Sequence, residues 1–276
     1  MLVNSSQLST EPEWLLAAIR LALRGQLDSL TLSELVVLGR ESASASRWLQ
    51  PHQAHLRDAL LRLQYPDGSW GRDSGDWVTA TTSWALLALE TSHPVETGRA
   101  VAWLASVQTC DGAFLQSDIS QVCNAYATAY AAAAMFEHGD LERASHAVGW
   151  LASRQRPDGG FDEPYVADSL MDPSVPSYIV HALSLVRGIP CGAIVEGCIS
   201  FIVKHQNPSG SWILWNGDQE SFEGTCAALR ALGGHREEHA GSFRRGIAFV
   251  KNCINGKRLA TWESITHAYV SMEECR

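Results

Sequence analysis

The chain has 276 residues, 46% of them apolar and only 18% charged, and acids outnumber bases 30 to 21 for a net charge of -9. A charged fraction below the usual quarter describes a chain that either buries much of its length or lines an apolar interior, which excludes a disordered protein. The negative balance argues against a nucleic-acid partner, which needs basic groups to displace counterions.

The first residues, Met1 to Trp14, have neither the basic start nor the apolar core of a signal peptide, and no stretch approaches the ~18 apolar residues of a membrane span. A cytoplasmic location is the expectation. Cys110, Cys123, Cys191, Cys198, Cys226, Cys253 and Cys275 are an odd number without Cys-Xaa-Xaa-Cys spacing, so they read as reduced and mostly buried thiols. Next, Glu11 to Leu23 and Thr31 to Ser46 read as a helical pair, with Thr31 or Ser33 placed to cap the second member.

From Pro51 onward the chain repeats. Leu60 to Trp70, Trp103 to Phe114, Trp150 to Phe161 and Phe201 to Trp212 share one template, in which a helix ends in Gln, turns through Gly and meets an aromatic residue. The glutamines Gln64, Gln108, Gln155 and Gln206 are 44, 47 and 51 residues apart, and a degraded copy follows around Cys253, Gly256 and Trp262. Such a period marks an array of supersecondary units. The repeats fall around 51–94, 95–139, 140–190, 191–236 and 237–276, all within one expected domain, 1–276.

Each copy precedes an apolar, Ala-rich helical stretch: Trp77 to Glu90, Ile119 to Glu137, Val175 to Arg187, Glu220 to Leu232 and Trp262 to Met272. Apolar character around most of the circumference predicts inner helices. Glu142 to Arg154 and Phe243 to Asn252 instead carry charge on one side and predict outer helices. With the N-terminal pair this makes an all-α fold of six inner and six outer helices, an (α/α)6 barrel.

The Gln, Gly and aromatic repeats resemble the QW motifs of the terpene cyclase and protein prenyltransferase superfamily, whose squalene-hopene cyclase-like members use such a barrel. The resemblance runs from about Pro51 to the C-terminus, and it implies that the motif glutamines and aromatics are structural. Class II cyclases of that family protonate an alkene from an Asp-Xaa-Asp-Asp-Thr-Ala motif at the start of an inner helix; this chain lacks that motif. Aligning the inner helices places Ala80, Tyr126, Pro176, Glu223 and Glu263 at the column of the family's acid, followed four residues later by Trp84, Tyr130, Val180, Ala227 and His267. Glu223 and Glu263 are therefore the candidate proton donors, and His267, one turn beyond Glu263, is the candidate partner or terminating base.

Trp77, Trp84, Tyr126, Tyr130, Tyr178 and Trp215 interleave with this column, and aromatic faces can stabilise a cationic intermediate. With Cys226 they form the expected substrate wall. Asp76 and Asp172 are second-tier acids placed to cap inner helices, and His181, among apolar neighbours, reads as a core histidine.

The resemblance implies acid-initiated cyclisation or isomerisation of a small apolar isoprenoid or polyene, with no cofactor and no metal. No basic cluster at the inner-helix starts speaks for a diphosphate, which favours a neutral ligand. Two alternatives stay open: a non-catalytic scaffold or carrier for an apolar ligand, and a zinc-dependent prenyltransferase beta-like subunit. The zinc reading requires Asp-Xaa-Cys where this chain has Glu223-Gly-Thr-Cys226, with His267 as a further ligand. Self-association as a homodimer is also left open.

Overall fold

The computed structural model describes residues 21–22, 24–25, 27–41, 43–72, 77–162, 172–214 and 218–255. The expected helix over Glu11 to Leu23 falls mostly outside this set, and that over Trp262 to Met272 entirely so. Among the described residues the chain is all-α apart from one short hairpin. Its helices are α1 (Ser29–Glu41), α2 (Ala43–Leu49), α3 (Gln53–Arg62), α4 (Val78–Leu89), α5 (Pro94–Ser106), α6 (Ala125–Glu137), α7 (Leu141–Arg154), α8 (Ser174–Ser184), α9 (Gly192–Lys204), α10 (Phe222–Leu232) and α11 (Ala240–Asn255). Strand β1 (Trp212–Leu214) pairs antiparallel with β2 (Asp218–Ser221) just before α10.

Burial sorts the helices as the periodicity predicts. Every residue of α4 is buried, and α6 is buried from Ala125 to Met135 except at Tyr126. By contrast α7 buries Ala144, Ala147, Val148, Trp150 and Leu151, a stripe at helical spacing, and turns its charges to solvent. Helices α1, α4, α6, α8 and α10 pack side by side in chain order as the inner layer, and α3, α5, α7, α9 and α11 lie outside them.

The repeat works as a two-way clasp. Each glutamine amide donates to the carbonyl of its own turn glycine and to the third residue of the next outer helix. Gln64 Nε2 reaches Gly68 O at 3.0 Å and Glu96 O at 2.9 Å, and Gln108 reaches Gly112 O and Arg143 O, both at 3.1 Å. Gln155 reaches Gly159 O at 3.1 Å and Ile194 O at 2.9 Å, while Gln206 reaches Gly210 O and Ser242 O, both at 2.9 Å. The aromatic closes the other side: Trp70 Nε1 donates to Leu60 O at 2.8 Å and Trp212 Nε1 to Ile202 O at 2.7 Å, each on the outer helix just ended.

The turn glycine is required twice over. Gly159 has φ +89°, and a Cβ there would lie 2.0 Å from the carbonyl oxygen of Gly197 on α9. Gly159→Ala is therefore expected to destabilise by about 3 kcal/mol or more, since the left-handed conformation and the backbone overlap add. Urea denaturation checks this; a midpoint within error of the unaltered protein would contradict it.

Several boundaries differ from expectation. The helix expected from Ile119 starts at Ala125, because Asn124 Oδ1 accepts the Ala127 N–H at 2.6 Å and fixes the start there. The helix expected from Glu220 starts at Phe222, because Asp218 to Ser221 form β2. At the start of α1 neither Thr31 nor Ser33 is the cap; Asp28 Oδ1 accepts the Thr31 N–H at 2.8 Å. The run expected from Thr31 to Ser46 is also divided, α1 ending at Glu41 and α2 beginning at Ala43.

Candidate active site

The heads of the inner helices carry the candidate residues, and local capping sets where each lies. Ser221 Oγ accepts the Gly224 N–H at 3.0 Å and starts α10, which puts Glu223 in its first turn. Gly224 allows β1 to lie against that turn, since a Cβ there would sit 2.5 Å from Ile213 O. Hydroxyls mark the register independently: Thr82, Thr128 and Thr225 accept the backbone N–H of Trp70, Phe114 and Trp212 at 2.9, 3.1 and 3.1 Å. Ala80, Tyr126 and Glu223, each two residues before such a threonine, are therefore equivalent positions. In the intervening repeat Pro176 is buried, and Tyr178 faces the others instead.

Among the candidates, Tyr178 is the hub. Its hydroxyl donates to Glu223 Oε1 in a long contact of 3.5 Å, and its ring meets that of Tyr126 edge-on at 5.2 Å. Burial, followed by the charges of Glu223 and the neighbouring Tyr126, Tyr130 and Glu34, pushes the Tyr178 phenol well above its usual range, so it stays a donor. Tyr126 also packs edge-on against Trp77 at 5.8 Å and Tyr130 at 5.0 Å, and its hydroxyl accepts the Trp84 indole N–H at 3.3 Å. Trp77, Tyr126, Tyr178 and Glu223 are all half-buried.

Below them the side chains close up. The Trp84 ring lies 4.8 Å from Tyr130 and stacks on His181 at 5.8 Å, and the Tyr130 hydroxyl bonds His181 Nδ1 at 2.9 Å. The Arg230 guanidinium lies 5.8 Å from the Trp84 ring centre, a cation–π contact. His181 thus has a polar partner, as a core histidine should.

Two features escaped the sequence reading. Glu34 on α1 lies near enough to Tyr178 for its charge to add to the upward push on the phenol. Its signal was a lone acid within the otherwise apolar run Leu30 to Gly39. Arg230 escaped because its charge suggests solvent, whereas its position two turns below Glu223 keeps it on the same face of α10.

The remaining candidates divide. Cys226 is fully buried, so it backs the wall instead of lining its half-open part; burial, then the charges of Glu223 and Cys253, pushes its thiol well above the usual range. A zinc thiolate there would form against that shift. Glu263, His267, Trp215 and Asp76 lie outside the described residues. Asp172 Oδ1 accepts the Ser174 N–H at 2.8 Å just ahead of α8, whose N-cap position itself is Pro173 and not the expected Asp172.

Burial pushes the Asp172 carboxyl above the usual carboxylate range, against the pull of its bonds to Ser174. The folded state then holds this proton to higher pH than the unfolded chain, so its contribution to stability falls as pH rises from 3.8 through the raised value. Asp172→Asn keeps an oxygen for the Ser174 N–H and removes the titration. The stability difference, variant minus unaltered, is expected to grow with pH above about 4; a difference independent of pH in urea melts would contradict this.

The Prenyltransferase alpha-alpha toroid domain model matches residues 29–164 and 162–260. The chain belongs to this family. The prenyltransferase toroid has solved structural neighbours at low identity: a protein from Actinoplanes has TM-score 0.68 and 14% identity over 95% of this chain and 100% of that one. The R337A variant of the type II terpene cyclase MstE from Scytonema, in complex with geranylgeranyl dihydroxybenzoate, has TM-score 0.67 and 14% identity, covering 95% of this toroid and 97% of the chain in that structure. An ent-copalyl diphosphate synthase from Streptomyces platensis has TM-score 0.67 and 16% identity over 89% of this chain but only 50% of its own length. The fold is therefore that of the type II terpene cyclases. No curated protein matches the sequence, and among the described residues no helix is long and apolar enough to cross a membrane.

Proposed function

We propose that the toroid catalyses acid-initiated cyclisation or isomerisation of an apolar isoprenoid or polyene. The observation that carries this reading is Glu223, a half-buried carboxyl at the head of an inner helix, held against Tyr178 in an aromatic enclosure. In its protonated form Glu223 gives its proton to a terminal alkene. The π electrons form the new C–H bond, and the cation left on the neighbouring carbon is attacked by the next alkene to close a ring. Trp77, Tyr126 and Tyr178 present π density to that cation, each contact contributing about 0.5–2 kcal/mol when water is excluded. Loss of a proton from the carbon beside the final cation restores an alkene, and His267 is the base we assign to that step.

MstE binds an isoprenoid-bearing substrate within the same fold, which supports the substrate class. The test compares Glu223→Gln with Glu263→Gln on polyprenyl alcohols, with products separated by gas chromatography. Loss of turnover in one variant names the donor. Unchanged turnover in both overturns the assignment of a glutamate, and binding without turnover in the unaltered protein supports a carrier.

A further inference from the structure

The heads of the inner helices gather at one end of the toroid, an arrangement that by itself favours an anion, since a helix N-terminus carries roughly half a positive charge and unbonded N–H groups. Two arginines stand at the same end, where outer helices finish: Arg72, two residues beyond the clasp aromatic Trp70, and Arg156, next to the clasp glutamine Gln155. Each is occupied by two carboxylates. Arg72 Nη2 donates to Asp118 Oδ2 at 3.0 Å and to Asp67 Oδ2. Arg156 Nε donates to Asp158 Oδ1 at 3.1 Å, and its Nη1 donates to Asp162 Oδ1 at 2.8 Å and to Phe161 O at 2.9 Å. One cation against two anions leaves each cluster at -1. We propose that these clusters make the rim a charge filter, in which Asp118 and Asp162 turn away prenyl diphosphates and admit isoprenoids with a neutral head group.

The fold places both carboxylates of each cluster. Asp67 and Asp158 precede the turn glycines Gly68 and Gly159 at equivalent positions of the repeat, and each also accepts a backbone N–H of its turn, from Ser69 and Gly160, both at 3.0 Å. Asp118 and Asp162 are exposed and supply the second charge. Asp118 comes from the next repeat: the Thr79 N–H donates to Gln116 O at 3.0 Å and its hydroxyl to Leu115 O at 2.6 Å, which fastens the Asp118 loop to the head of α4. Asp111, at the third equivalent turn position, adds a further charge. The Thr109 hydroxyl donates to it at 2.5 Å and holds its carboxyl below the usual range. Exposed ion pairs contribute little to stability, so a second acid on each arginine matters chiefly for the local potential. That potential reaches a multiply charged head group over about 8 Å at physiological salt, and an alcohol does not feel it. The substrate is then supplied by a reaction that has already removed the diphosphate. In hydrolysis, for example, water attacks phosphorus, the bridging oxygen stays with the prenyl carbon, and the alcohol is released with inorganic diphosphate.

This inference rests on the proposed isoprenoid reading, and the test tells the two apart. The probes are fully hydrogenated farnesol and its diphosphate, which have no alkene to protonate. Both are titrated by quenching of tryptophan fluorescence, and displacement of bound alcohol checks that the diphosphate enters the same site. The unaltered protein is expected to bind the alcohol about tenfold more tightly than the diphosphate at low salt. Asp118→Asn with Asp162→Asn is expected to tighten diphosphate binding about threefold, and Asp118→Lys with Asp162→Lys about tenfold, with alcohol binding unchanged and both gains lost in about 1 M salt. Glu142→Lys with Glu238→Lys makes the same net-charge change as the lysine pair, in the first turn of α7 and beyond the end of α10, and is expected to leave the ratio unaltered. Equal binding of the two probes by the unaltered protein, no gain in the folded rim variants, or an equal gain in the control pair overturns the filter and leaves the isoprenoid reading intact. Binding of neither probe overturns both.

Discussion

Replacing Glu223 by Gln is expected to lower turnover of a polyene substrate by about two to four orders of magnitude, the usual contribution of a positioned general acid. Gln keeps the shape of the side chain and an oxygen that can accept the Tyr178 hydroxyl now 3.5 Å from Glu223 Oε1. What it lacks is an acidic proton. The substitution therefore separates chemistry from packing: substrate affinity and thermal unfolding stay near those of the unaltered protein while the rate falls. Tyr178→Phe sharpens the test, since it removes the hydroxyl and leaves the ring against Tyr126 at the same site. A smaller fall in rate is expected there, with binding retained. Full activity in Glu223→Gln would move the donor to Glu263 or remove the enzymatic reading, depending on the companion variant.

A second large effect concerns the frame. Trp212 is completely buried, and its indole N–H donates to Ile202 O at 2.7 Å. Trp212→Ala is expected to cost about 3–5 kcal/mol from lost burial and the cavity left behind. Trp212→Phe fills most of that space but leaves the Ile202 carbonyl without the indole donor, at a cost of about 1–3 kcal/mol. The order Ala, then Phe, then unaltered protein should appear in denaturation midpoints. Equal midpoints for the two variants would assign the residue's contribution to the hydrogen bond alone. Because the backbone N–H of Trp212 is also held by Thr225 on α10, loss of this side chain should loosen the turn that precedes Glu223. A fall in activity larger than the unfolded fraction explains would record that coupling.

The frame was legible because its physics is local and repeated. A Gln that ends a helix, a Gly that must turn with positive φ and an aromatic that seals the gap leave the same trace in each copy, and the clasp bonds at Gln64, Gln108, Gln155 and Gln206 have one geometry. The interior was less legible because it does not repeat. Lining up the helices placed Tyr126 and Glu223 correctly in register, as the threonine bonds confirm, yet in the third repeat the alignment pointed to Pro176 while Tyr178 meets the site. Glu34 was hidden for a different reason: α1 precedes the first clear copy of the motif, so no alignment drew attention to it. Loop and hairpin starts also misled periodicity, since apolar residues such as Ile119 are largely exposed ahead of the true helix start at Ala125.

The glutamine clasp runs between neighbouring outer segments and touches none of the side chains that face the enclosure. Evolution can therefore rewrite the inner wall one position at a time, exchanging Ala80 for Tyr126 or Glu223 at equivalent sites, without disturbing what fastens the perimeter. That division of labour lets the perimeter keep its clasp while the heads of the inner helices vary in chemical character from repeat to repeat.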